Sequence, residues 1–280
     1  MKQAPNEAAR YGTLQARGKL LMRGGYKVNK IFSFLLILVM AGMVGVSISA
    51  DTGNNTTSTL SLGEVVSPKG TVSFVIEGAP YTRYLRKAIG IDYDENGWHL
   101  QKIAEVKEFL ISADTDGEPV SPETEFLSRK YRDFNRDMLN NASVLNLPQY
   151  LDVPENVSER VKSLSQSITA EKKTPFQKAR AIEKYLQVKF DYNLDFETPP
   201  ELWEPNDWFL FESKEGICGN FNSAFVILAR AAGIPARLAT GYYLPPSNEE
   251  SQPVYSYQAH AWAEIGFEDI GWIAFEATPA

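Results

Sequence analysis

One cysteine, two histidines and a late glutamate are the residues that could do chemistry together in this chain of 280 residues. Cys218 is followed by Phe221, Ala224, Phe225, Leu228, Ala229 and Ala232. That apolar rhythm is one inward face of a helix, and Gly233-Ile234-Pro235 supplies its stop. The spacing therefore puts Cys218 at a helix N-terminus. There the positive end of the helix dipole favours the thiolate, which is the nucleophilic form. Taken alone, Cys218 reads first as a small buried hydrophobe. Downstream, Ala259-His260-Ala261-Trp262-Ala263-Glu264-Ile265 alternates as a strand does, and a turn around Glu268-Asp269 leads to Gly271-Trp272-Ile273-Ala274-Phe275-Glu276. With period-2 side chains, His260, Trp262 and Glu264 share one face, and Trp272, Ala274 and Glu276 share another. A hairpin register in which paired numbers sum to 536 would set His260 directly across from Glu276, about 5 Å apart at Cβ. An odd sum would put the two on opposite faces. A thiol, an imidazole able to take its proton and a carboxylate able to orient that imidazole make a triad with a cysteine nucleophile.

Composition narrows the alternatives. A single cysteine excludes an intrachain disulfide and a multi-cysteine metal site, and His99 and His260 leave little for a histidine-based one; no cofactor is expected. The net charge of −7 divides into +6 over residues 1–30 and −13 over the rest. An acidic globular part argues against nucleic acid as partner.

Several elements must position the three residues. Residues 31–50 form an uncharged run behind the basic leader 1–30. At 1.5 Å per residue, about 20 residues just span a hydrocarbon core of about 30 Å. The charge bias keeps the leader cytoplasmic and sends residues 51–280 outside. The run reads as a transmembrane anchor or as a cleaved signal, the latter with Met22 as a start. Residues 51–60 are a polar linker. Residues 61–150 read as a smaller β-rich region. Thr71 to Ile76 is β-branched, and Tyr84 to Tyr93 meets Trp98-His99-Leu100 through the Asn96-Gly97 hairpin signal, which makes His99 a sheet-surface residue. Residues 112–122 read as loop. Residues 151–280 carry helices capped at Ser158 and Thr174, with Pro175 at the first helical position and Ala179, Ile182, Tyr185 and Leu186 facing inward. Pro199 to Asp207 reads as loop. Ala236 to Tyr243 reads as a strand, and Leu244 to Gln258 as a polar rim or lid.

Four blocks together resemble the transglutaminase-like superfamily: Asp207 to Cys218, Leu228 to Tyr242, His260-Ala-Trp262-Ala-Glu264, and Gly271-Trp272 to Pro279. The resemblance covers about residues 174–280. Tyr84 to Trp98 is similar, more loosely, to the extracytoplasmic region of microbial membrane-bound members. The resemblance implies an α+β, papain-like core in which a helix bearing Cys218 packs on an antiparallel sheet bearing His260 and Glu276. It implies Cys218 as nucleophile, His260 as base and acid, and Glu276 as the orienting carboxylate. The Cys218 N–H would be one oxyanion donor and the Trp208 indole a candidate second. Arg230 and Arg237 are expected to brace the fold through carboxylates. This chain departs from the usual pattern with Glu276 for Asp, Ala277 for Pro, and Gly219-Asn220 and Asn222 after the cysteine. The expected function is extracytoplasmic acyl transfer or hydrolysis at a glutamine side-chain amide or a peptide bond, through a Cys thioester, on a protein or peptide substrate. The alternatives are a cysteine protease and an inactive module that keeps the fold for binding or cell-surface assembly.

Overall fold

A computed structural model describes residues 46–47, 58–60, 62, 72–77, 84–102, 127–245 and 251–279. The leader 1–30, most of the run 31–50 and the loop 112–122 lie outside these residues. No helix among the described residues is long and apolar enough to cross a membrane.

The strands, in chain order, are β1 (Val46–Ser47), β2 (Ser58–Leu60), β3 (Val72–Glu77), β4 (Tyr84–Asp94), β5 (Gly97–Lys102), β6 (Leu127–Lys130), β7 (Asp191–Tyr192), β8 (Glu215–Gly216), β9 (Ala236–Tyr243), β10 (Ser251–Tyr255), β11 (Ala259–Phe267) and β12 (Gly271–Phe275). The helices are α1 (Arg136–Asn141), α2 (Glu159–Thr169), α3 (Pro175–Lys189), α4 (Pro205–Trp208) and α5 (Cys218–Ala231). Strand β1 falls inside the run expected to cross the membrane and pairs with β2, whose residues were read as linker.

Helix α5 is the centre of the packing. Thirteen of its residues, Cys218 through Arg230, are buried, so it is apolar on nearly all sides and needs cover all round. Helices α2 and α3 pack on it, with Val161, Ala179, Ile182 and Leu186 facing the core. The outward faces of β9, β11 and β12 cover it from the opposite side, through Ala236, Leu238, Ala261, Ala263, Ile265, Ile273 and Phe275. Thr174 caps α3 as the sequence predicts, its Oγ1 accepting from Gln177 N at 3.2 Å, and Pro175 takes the first helical position. Ser158 precedes α2 but makes no cap hydrogen bond; its hydroxyl donates instead to the Asp207 carboxylate.

The sheet is not the open layer a simple helix-on-sheet reading implies. β4 pairs with β9 along Tyr84 to Gly90 and with β6 at Tyr84 and Leu85. β6 pairs parallel with β12, β12 with β11, and β11 with β9. Five strands thus close on themselves as a small barrel. The outer half of β4 carries β5, β2 and β1 as a side arm. Gly241 makes the closure possible: a Cβ there would collide with the Leu85 backbone carbonyl. Strands on either side of residue 150 therefore share one sheet.

The barrel interior is filled by alternate side chains, as small barrels require. Tyr84, Ala239, Trp262 and Ala274 form one cluster. Below them Glu264, fully buried, meets Arg86 at 2.5 Å and Arg237 at 2.7 Å, with the Ser128 hydroxyl donating to it as well. Burial alone would push the Glu264 carboxyl up, but the two guanidiniums and Ser128 hold it at about 2. Arg237 is thus the carboxylate brace the sequence predicts. Arg230 is not: it donates to the backbone carbonyls of Ala236, Asp152 and Ile91 at 2.9, 2.9 and 2.7 Å.

Two expected loops contain structure. Residues 244–258, read as a rim, hold β10, which pairs antiparallel with β3. Pro253 is tolerated because β10 pairs with β3 alone among the described residues. Residues 199–207 end in α4, capped by Glu204, which accepts from Asn206 N and Asp207 N.

Candidate active site

The site lies where the N-terminus of α5 meets the open end of the barrel. Gly216, two residues before Cys218, is required by space: a Cβ there would lie 2.8 Å from the Asn220 Cβ. Asn220 occupies that space in order to cap the helix, accepting from Ile217 N at 3.1 Å while its amide donates to Leu62 O at 3.0 Å. The Gly-x-Cys spacing thus follows from a cap that fixes the first turn and its cysteine. Cys218 is 8% exposed.

His260 is the second residue of β11 and Glu276 follows the last residue of β12. The observed register pairs Ala263 with Phe275 and Glu264 with Ala274, two residues away from the register expected from sequence. The turn is centred one residue later than that register requires, on Asp269 (φ 59°), with Phe267 paired to Gly271 (φ 87°) across Glu268, Asp269 and Ile270. Because the shift is even, both residues keep the same face, and they meet diagonally rather than directly opposite. His260 Nε2 lies 2.6 Å from Glu276 Oε2, and each side chain is 17% exposed.

The electrostatics follow from this contact. Burial would drag the His260 value down, yet the Glu276 carboxylate and hydrogen bonding with Cys218 and Glu276 raise it well above 6.5. Burial would raise Glu276, yet His260, Thr278 and Asn222 hold it at about 2. With Nε2 facing Glu276, Nδ1 is the ring nitrogen left for Cys218. The structure thus brings Cys218, His260 and Glu276 together. It engages Trp208 elsewhere, since its indole N–H donates to Glu197 O at 3.2 Å; the donor considered for an oxyanion is spent on a loop carbonyl. His99 pairs with Asp94 at 2.7 Å on the β4–β5 hairpin.

Several contributors were not singled out from sequence. Asn222 is fully buried; its two amide hydrogens are shared among Cys218 O at 3.0 Å, Ala261 O at 2.9 Å, Glu276 Oε1 at 3.2 Å and Thr278 Oγ1 at 3.1 Å from Nδ2, while its Oδ1 accepts from Ala277 N at 3.1 Å. It joins the nucleophile's helix to both strands. Its position one turn after Cys218 was the available signal. Glu183 accepts from Glu276 N at 3.0 Å, and Gln187 donates to Glu276 O at 2.6 Å. An acid among the inward residues of α3 was the clue to Glu183. Tyr192 stands beside the site on β7; its hydroxyl is pushed up to about 12, by burial first and then by Cys218 and Glu276. Among the described residues, no three His, Cys, Asp or Glu side chains are grouped to hold a metal.

Asn222→Ala should remove a donor from Glu276 and leave Ala277 N without its acceptor. Buried groups left this way cost about 1–3 kcal/mol each. The expected result is a loss of about that size in urea denaturation, with slower alkylation of Cys218. Unchanged alkylation would contradict the bridging role.

Residues 162–277 match the Transglutaminase-like superfamily. The uncharacterized protein YebA of Bacillus subtilis (strain 168) is 39% identical over 138 residues, covering 46% of this chain and 19% of its own length. A protein-glutamine gamma-glutamyltransferase of Pseudomonas aeruginosa is 29% identical over 132 residues, with the same coverage of 46% and 19%. The chain therefore spans about a fifth of the length of these curated relatives. The crystal structure of the periplasmic domain of TgpA from Pseudomonas aeruginosa aligns with TM-score 0.41 and 27% identity, over 46% of this chain and 45% of that one. Over residues 162–277 the chain is similar to the transglutaminase-like superfamily, the family that its four sequence blocks resemble.

Proposed function

We propose that this chain is an extracytoplasmic cysteine enzyme that transfers or hydrolyses an acyl group at a glutamine side-chain amide or a peptide bond. The observation that carries the reading is His260 set between Cys218 and the Glu276 carboxylate, 2.6 Å from the latter. The Cys218 thiol passes its proton to His260 and its sulfur attacks the carbonyl carbon, so that the carbonyl oxygen becomes an oxyanion near the Cys218 N–H, in the helix turn whose N–H groups have no intrahelical acceptor. The C–N bond breaks, His260 gives its proton to the departing nitrogen, and a thioester remains on Cys218. An amine or water then attacks, His260 takes the attacker's proton, and the thiol is restored. Glu276 holds the imidazole in one orientation throughout and stabilises its positive form.

The family match supports a cysteine acyl chemistry, and the glutamyltransferase relative supports glutamine as the acyl donor. The basic leader followed by the uncharged run 31–50 supports placement of residues 51–280 outside the membrane.

The test is incubation of the protein with a glutamine-containing peptide and a labelled primary amine. Incorporation of the amine is expected, with loss of ammonia and dependence on Cys218. Ammonia release alone would identify a hydrolase, and backbone cleavage a peptidase. None of the three, with the fold intact, would identify a non-catalytic module and overturn the proposal.

A further inference from the structure

Resting on the triad reading above, we propose that Tyr84 is a positioning residue for the reacting centre: it holds the Glu276 carboxylate in the orientation that grips His260. Glu276 needs such help. It follows the end of β12, where the Glu183 and Gln187 side chains hold its backbone but leave its own side-chain torsions free. It is also one methylene longer than aspartate and has one more torsion to settle. Its Oε1 is held from within its own half of the chain, by Asn222 Nδ2 at 3.2 Å and Thr278 N at 3.1 Å. Its Oε2, the oxygen that meets His260 at 2.6 Å, takes its second hydrogen bond from the Tyr84 hydroxyl at 3.0 Å. With both oxygens anchored, the carboxylate plane cannot rotate away from the imidazole.

Tyr84 is itself held rigidly. It is 1% exposed. Its ring lies 5.2 Å from the Tyr243 ring and 5.0 Å from the Trp262 ring, centroid to centroid, and the Lys130 ammonium sits 4.8 Å from its centroid. It is delivered by β4, which pairs with β9 on one side and β6 on the other at this residue. Strand β4 lies outside residues 162–277, the span of the family match. Part of the machinery is therefore supplied by the upstream region through closure of the barrel. The titratable and charged groups facing this cluster are Cys218 from α5, Tyr192 from β7, Glu183 with its partner Arg180 from α3, Lys130 from β6 and Tyr243 from β9.

The test is the rate of Cys218 alkylation by iodoacetamide across pH, in the full chain, for the parent, Tyr84→Phe, Glu276→Gln and the double variant. Phe keeps the ring packing and removes only the donor. A hydrogen bond to a charged group supports an expected slowing of about tenfold for Tyr84→Phe. Its pH profile should move in the same direction as that of Glu276→Gln, by a smaller amount. In the Glu276→Gln background the Tyr84 substitution should add little, because the two act through one carboxylate. An equal factor in both backgrounds, or no factor, overturns the proposal. If Tyr84→Phe does not fold, Tyr84→3-fluorotyrosine keeps the shape with a more acidic hydroxyl; its profile must move, and an unmoved one overturns the proposal. His260→Ala separates the two levels. If it leaves the parent rate unchanged, the triad reading fails; if it slows the rate while Tyr84→Phe is silent, only the role of Tyr84 fails.

Discussion

Glu264→Gln should destabilise the protein by about 3–5 kcal/mol, the range for a buried ion pair that loses one partner. Glu264 is fully buried inside the barrel between Arg86 and Arg237, whose side chains are each 8% exposed. A neutral amide would leave two guanidiniums there without their counter-charge. The effect should reach the site, because Trp262 donates to Ser128 Oγ at 3.1 Å and to Glu264 Oε1 at 3.4 Å, and its ring stacks 6.3 Å from that of His260. Urea denaturation at neutral pH is the measurement. The same carboxylate sets part of the acid response. Its value is depressed from 4.5 to about 2, so its contribution is complete above 4.5 and fades as pH falls towards 2. The parent should lose stability over that window, and Glu264→Gln should lose less across it. Glu276, depressed to the same value, adds a second contribution in the same window. His260 works at the other end. Its value is raised, so its contribution is present at 6.5 and below and is lost as pH climbs through the higher folded value.

The second large effect is on turnover. His260→Ala should lower amine incorporation by about 10²–10⁴-fold, the usual weight of a general acid–base group, and Cys218→Ala should abolish it. The fold should survive both. Cys218 is the first residue of α5, ahead of the apolar stripe, and His260 is the second residue of β11, at its exposed end. Steady-state kinetics with thermal melting separates this from unfolding. A His260→Ala protein that melts as the parent does and still turns over at the parental rate would remove His260 from the mechanism.

The candidate site of this chain was more legible in its sequence than the architecture around it. Cys218 at a helix start, His260 on an alternating strand and Glu276 at the end of the next are local patterns, and local patterns survive into the fold. The hairpin register was two residues off because alternation does not fix which residue the turn is centred on, and moving the centre from 268 to 269 changes every pairing by two. Parity carried the argument, since an even shift keeps both side chains on one face. Closure of the barrel was not legible, because β4–β9 pairing joins residues about 150 positions apart, and its one trace, the glycine at 241, looks like any strand glycine. For the same reason Tyr84 gave no signal: its partner lies 192 residues away. Asn222 could have been found one turn from the cysteine, yet it stood out only as a departure from the family pattern. That departure and Glu276 belong together, because Asn222 Nδ2 is one of the donors that hold the longer carboxylate. Trp208 shows the converse, an aromatic donor close in sequence to the cysteine whose hydrogen bond goes to Glu197.

The most direct measurement of the central claim is the pH-resolved rate at which Cys218 reacts with iodoacetamide in the parent protein and in His260→Ala. The account predicts fast reaction near neutral pH in the parent, a change in rate at a titration above 6.5 where His260 loses its proton, and loss of both features in His260→Ala. A parental rate no faster than that of an ordinary exposed thiol, and identical without His260, would contradict it.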